Sequence, residues 1–177
     1  MNQFDRKLAK THAKGEELER RIRARHGDVI VFLLGPGYPP ANLNRRRRLR
    51  DRLKNSGINA IVMEDVRTQP GESLTDKFRR ILRDLEPTLY LAIFTERGKP
   101  LGLTFELGLL TGILGFEELK SKLRYCVEMM VNEKLVMTQY VREQLIIGRV
   151  KRFKGDDELL DVATACVDVH IIDEGWV

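Results

Sequence analysis

The sequence predicts an α/β fold: a doubly wound, five-stranded parallel sheet in a three-layer sandwich, with an extra helix at the N-terminus. Three observations carry this expectation. Short, largely apolar runs recur along the chain, at DVIVFLL, INAIVM, TLYLAIF, RYCVEMMV and GRVKRF. Most are continuous rather than alternating, the pattern of strands buried on both faces. Segments with helical spacing separate them, and strands alternating with helices imply a parallel sheet covered on both sides.

The elements follow in chain order. Residues 3–25 read as a polar helix whose few apolar points are Phe4, Leu8, Leu18 and Ile22. Such a helix lies over the surface or against a second subunit. We therefore separate a charged N-terminal helix, residues 1–27, from one α/β domain, residues 28–177. The first strand, Asp28 to Leu34, ends in GPGYPP. Asn42 or Asn44 caps a helix to about Ser56, with Leu43, Leu49 and Leu53 inward, and Gly57 stops it. INAIVM is the second strand, ended by Glu64 and Asp65. Ser73 or Thr75 caps a helix from about Leu74 to Leu85, with Phe78, Ile81, Leu82 and Leu85 inward, and Glu86-Pro87 ends it. Thr88 to Phe94 is the third strand, and the loop TERGKPLG leads to a helix from about Thr104 to Gly115. RYCVEMMV is the fourth strand, and Asn132 caps a helix to about Leu145. GRVKRF is a short fifth strand, and Asp156 or Asp157 caps a last helix to about Asp168. Right-handed crossovers make this chain doubly wound. With the flavodoxin-like order 2-1-3-4-5, ligands bind at the carboxyl ends of the first and third strands, where the strand order reverses.

Composition agrees with one globular domain: 177 residues, 42% apolar and 32% charged. No apolar run approaches the ~20 residues that span a membrane. The charged N-terminus lacks the apolar core of a secretory signal. Cys126 and Cys166 have neither CxxC spacing nor a neighbouring His pattern, so they read as small buried hydrophobes in a reducing compartment. The expected location is the cytoplasm. His12, His26 and His170 are scattered, and no metal site is expected. Trp176 reads as a packing residue.

Net charge is +5, and much of it sits in NRRRRLRDRLK, Asn44 to Lys54. Such a run points either to phosphate-bearing ligands or nucleic acid, or to a solvated helix face. No recognised nucleic-acid-binding motif accompanies it.

The chemistry-bearing candidates lie in the loops after the first and third strands. In GPGYPP, Gly35 and Gly37 permit close backbone approach, either to a ligand or within a tight turn. In GLTFELGLLTG, Glu106 is the one charge among Leu, Phe, Thr and Gly. A buried carboxylate is costly unless it is paired or hydrogen-bonded. The predicted helix start puts Glu106 in the first turn, where unpaired N–H groups favour a negative charge without an Arg partner. It is then either a plain first-turn glutamate or a carboxylate poised at a cleft for attack on a sugar carbon.

These segments together, FLLGPG, the Arg-rich helix, GINAIVMEDV, LYLAIF and GLTFELGLLTG, resemble the nucleoside 2-deoxyribosyltransferase family, which is related in fold and site logic to TIR-type NAD-cleaving domains. The resemblance covers about residues 29–115 and includes a G-[TS]-x-x-E-[LIM]-G-like segment, here Gly102, Leu103, Thr104, Phe105, Glu106, Leu107 and Gly108. It implies a Rossmann-like fold and N-glycosidic bond cleavage or transfer on a nucleoside or nucleotide, with Glu106 as nucleophile. It implies that Asp65, or Glu64, holds sugar or base. Glu96 and Arg97 stand where the family carries Asp residues ahead of its motif. Gly35, Pro36, Gly37, Arg45, Arg97, Gly102 and Thr104 are the expected substrate-binding residues. The arginines suit a 5′-phosphorylated or NAD-like substrate. No cofactor is expected. A homo-oligomer is expected, with the N-terminal helix and IIDEGWV as docking elements. The alternatives are a nucleotide-sensing module of the same fold without turnover, and a nucleic-acid binder acting through the Arg-rich helix.

Overall fold

A computed structural model describes residues 3–98, 101–129 and 150–177. Five strands form one parallel sheet in the order β2-β1-β3-β4-β5: β1 (Ile30–Leu34), β2 (Asn59–Val62), β3 (Leu89–Phe94), β4 (Leu123–Glu128) and β5 (Val150–Phe153). Among the described residues, six helices accompany them: α1 (Gln3–Ala24), α2 (Pro40–Asn55), α3 (Leu74–Leu85), α4 (Leu101–Leu114), α5 (Phe116–Lys122) and α6 (Gly155–Asp173). The predicted flavodoxin-like, doubly wound sheet is the observed one. β1 pairs with β2 through Leu33↔Val62 and with β3 through Leu34↔Ala92, so the strand order reverses at β1.

Strand residues alternate between two cores. Val31, Leu33, Leu91, Ile93 and Cys126 face Ile22 of α1, Leu49 and Leu53 of α2, and Leu159 and Cys166 of α6. Phe32, Leu34, Tyr90, Ala92 and Phe94 face Phe78 and Ile81 of α3, Leu103, Leu107 and Leu110 of α4, and Leu119 of α5. β3 is buried at all six positions because both layers cover it. Cys126 and Cys166 are free and buried, and Trp176 packs against the first core and edge-on to His170.

Local chemistry explains the boundaries. Pro40 opens α2 at a position where no N–H is needed, ahead of the predicted Asn caps. Ser73 caps α3, its Oγ accepting the Asp76 N–H at 3.1 Å. Glu86 closes α3 in the left-handed region, φ 42°. Asp156 and Asp157 lie within α6 rather than capping it, and α6 runs on to Asp173. The short helix α5, FEELKSK, is an element the sequence reading did not assign. The helix expected from Asn132 to Leu145 lies outside the described residues. Among the described residues, no helix is long and apolar enough to cross a membrane.

Helix α4 departs from its predicted start. It begins at Leu101, not near Thr104, and this moves Glu106 into the second turn. Its inward side carries Leu103, Glu106, Leu107 and Leu110, and its outward side carries the exposed Leu101, Phe105 and Ile113.

Candidate functional site

The two loops at the strand-order reversal pack on each other. Gly35 and Pro36, which follow β1, are buried. A Cβ on Gly98, in the loop after β3, would lie 2.4 Å from Pro36 Cγ and 2.7 Å from Thr95 Oγ1. Only glycine fits there. A Cβ on Gly35 would lie 3.1 Å from the Ile93 carbonyl oxygen and 3.2 Å from Arg46 Cδ. A Cβ on Gly37 would approach Glu64 Oε1 to 3.4 Å. The glycines of the GPG turn thus lie close against protein groups, the Ile93 carbonyl and Arg46 at Gly35 and Glu64 at Gly37.

Arg46 is 2% exposed. Its Nη2 donates to Glu64 Oε1 at 2.5 Å and its Nη1 to Glu64 Oε2 at 3.2 Å, a bidentate pair. Nη1 also reaches the Leu33 carbonyl at 3.4 Å. Glu64 comes from the one-turn helix Met63–Asp65 at the end of β2. The guanidinium is therefore clamped under the end of β1 by a carboxylate from the neighbouring strand.

Glu106 reaches the same place from the other core layer. It is 8% exposed, and among the described residues its Oε2 has no hydrogen-bond partner. Burial pushes its carboxyl up to about 8; Arg46 draws it down, Glu64 pushes it up, and the Gly35 N–H draws it down. Two expectations need correction here. Glu106 is buried rather than cleft-exposed, and it lies beyond the first turn, where the potential of a helix N-terminus acts. What answers its charge is Arg46, a partner the first-turn reading did not require.

Among the described residues, five buried side-chain atoms lack a hydrogen bond, and three belong to this edge: Arg46 Nε, Thr95 Oγ1 and Glu106 Oε2. The other two are the ring nitrogens of His170. Buried polar atoms are nearly always satisfied, so this concentration of donors and acceptors at the carboxyl edge of a parallel sheet makes that edge the candidate site.

The remaining predicted residues are placed differently. Asp65 is exposed and bonded to Arg47 at 2.8 Å and to Arg50; Glu64 is the carboxylate beside Glu106. Arg45 bridges Glu128 at 2.9 Å and Asp156 at 2.8 Å, over the ring of Phe153. Arg97 is exposed in the loop after β3, next to Glu96, whose N–H donates to Glu128 Oε2 at 2.8 Å. Gly102 is exposed and Thr104 half-buried in the first turn of α4. The structure brings Gly35, Gly37 and Glu106 together with Arg46 and Glu64. It does not bring Asp65 or Arg45 into that group.

The Arg-rich run turns out to be an internal network. Besides the pairs above, Arg48 binds Asp156 at 2.7 Å and Arg52 binds Asp157 at 2.7 Å. These arginines tie α2 to the end of β2 and the start of α6. Any phosphate they took up would compete with a carboxylate already in place.

Arg46 was legible but missed. The buried positions of α2 are Asn42, Arg46, Leu49 and Leu53, which is helical spacing. An arginine on that stripe is the signal, hidden by three arginines beside it. No group of three or more His, Cys, Asp or Glu among the described residues is arranged to hold a metal ion. Comparison with family models, with curated proteins and with solved structures finds no match to this chain.

Proposed function

We propose that the chain cleaves or transfers the N-glycosidic bond of a nucleoside or nucleotide, with Glu106 as the reacting carboxylate. The observation that carries this reading is the buried Glu106 Oε2, without a hydrogen-bond partner among the described residues, at the carboxyl edge of β1 and β3 where the strand order reverses. In the step proposed, ionised Glu106 attacks the anomeric carbon. A carbon–oxygen bond forms, the bond from that carbon to the base nitrogen breaks, and the base leaves with the electron pair and is then protonated. Water, or a second base, attacks the same carbon and restores the carboxylate. Arg46 and the Gly35 N–H favour the anionic form of Glu106 that this step needs.

The test is release of free base from a panel of nucleosides, deoxynucleoside 5′-monophosphates and NAD, followed by chromatography, with Glu106→Ala alongside. Base release that the variant lacks by 100-fold or more is expected, on the order of what loss of a nucleophile costs. Equal release by both proteins would remove Glu106 from the chemistry.

A second reading has its own support. A carboxyl pushed up to about 8 is mostly protonated at neutral pH and can hold a ligand as a hydrogen-bond donor. A non-catalytic nucleotide-sensing module would show calorimetric binding to a member of the panel and no base release.

A further inference from the structure

The charge of Glu106 is governed from outside its own helix. Helix α4, LGLTFELGLLTGIL, holds no other charged residue. Among the described residues, the charged groups acting on Glu106 are Arg46 from α2 and Glu64 from the turn after β2, and the Gly35 N–H adds a neutral donor from the loop after β1. Arg46 is a fixed charge: it is 2% exposed, and its Cδ and Nε lie against Gly35. Glu64 is the exposed partner, with 27% of its side chain open to solvent. Both Nη atoms of Arg46 donate to Glu64, and Nη1 also to the Leu33 carbonyl, whereas Nε has no hydrogen-bond partner among the described residues.

We propose that Arg46 is the positioning residue for Glu106 and that Glu64 withholds it. While Glu64 is ionised and paired, its negative charge offsets the guanidinium, and Glu106 keeps its proton. A ligand that donates hydrogen bonds to Glu64, as a pair of sugar hydroxyls does, draws that carboxylate off. The guanidinium charge then falls on Glu106, which releases its proton to solvent and becomes anionic. The reacting carboxylate is thus armed by occupancy of the site, not before it. The asymmetry of exposure supports this order: the partner that can change its contacts is the one solvent and ligand can reach. This inference rests on the reading of Glu106 as the reacting carboxyl, but its test does not require turnover.

The experiment is a carbon-13 NMR titration of the intact chain labelled at the glutamate side-chain carboxyl carbons. The Glu106 signal is assigned by its absence in Glu106→Gln. Glu64→Gln is expected to lower the titration midpoint of Glu106 by about one pH unit or more, the size of a nearby like charge removed. Arg46→Gln is expected to raise it, and Arg46→Lys to restore part of the difference. If the Arg46 variants do not fold, Glu64→Gln decides alone. A Glu106 midpoint unchanged or raised in Glu64→Gln overturns the proposal. If wild type releases base, the pH–rate profile of Glu64→Gln moves down by the same amount as the NMR midpoint. If wild type releases none while the midpoint still moves, the activity reading fails and the coupling stands.

Discussion

Glu106 shows how burial and charge compete at a single side chain. Its carboxyl is raised from 4.5 to about 8, burial first, with Arg46 offsetting only part. Between those two values the folded chain holds a proton that the unfolded chain has released. The Glu106 contribution to stability therefore falls as pH rises through this window, by up to about 1.4 kcal/mol per unit, and is flat above it. Glu106→Gln removes this dependence. Its stability advantage over wild type in urea denaturation is expected to grow from pH 5 to pH 8, and a difference that stays constant would refute the burial account. The same side chain limits what sequence alone could disclose. That Glu106 is exceptional was legible from its lone charge in an apolar segment. Its burial was not, because the helix start moved by three residues, and its neighbours Arg46 and Glu64 lie far from it in the chain.

At the scale of elements, periodicity carried the reading furthest where a helix has a clear apolar stripe. Helix α3 runs over Leu74–Leu85 as expected, with Ser73 as its cap and Phe78, Ile81 and Leu82 buried, although Leu85, expected inward, is exposed at the helix end. Burying such side chains contributes about 1.5–3 kcal/mol each, which fixes the helix on the sheet. Ser73→Ala is expected to cost about 1 kcal/mol in chemical denaturation, since the Asp76 N–H loses its acceptor. No loss would mean that water replaces the cap fully. Helix α2 was harder to read. Its composition offered a phosphate or nucleic-acid surface or a solvated helix face, whereas its arginines meet Glu64, Asp65, Glu128, Asp156 and Asp157. All five carboxylates lie outside α2, so no local pattern could reveal the pairing. Helix α5 escaped notice because seven residues with one buried side chain leave almost no period to detect.

For the whole molecule, the strand order was legible because strand–helix alternation with right-handed crossovers admits few arrangements. The chemistry at the opposite edge of the sheet was not. His170 is 1% exposed, has no hydrogen-bond partner among the described residues, and lies against Trp176. Burial holds its ring below the ordinary 6.5; Glu174 and Asp173 draw it up, and Arg124 and Lys122 push it further down. A lowered histidine contributes stability that is fully present above the unfolded value and is lost as pH falls below it. His170→Phe, which keeps the contact with Trp176, is expected to lose less stability than wild type between pH 6.5 and 5, read as the fall in Tm. Parallel falls in both proteins would show that other groups drive acid unfolding.

The contact between Gly35 and Arg46 has one more consequence, in heredity rather than energetics. The glycine is needed where it stands because the Ile93 carbonyl and the arginine both lie close to it. The arginine is tolerated without solvent because the glycine leaves it room. A lineage that gave up the arginine would keep its glycine, because the Ile93 carbonyl still stands 3.1 Å from where a Cβ would go, and one that replaced the glycine would select against the arginine. The arginine should be found only where the glycine stands, while the glycine can outlast the arginine.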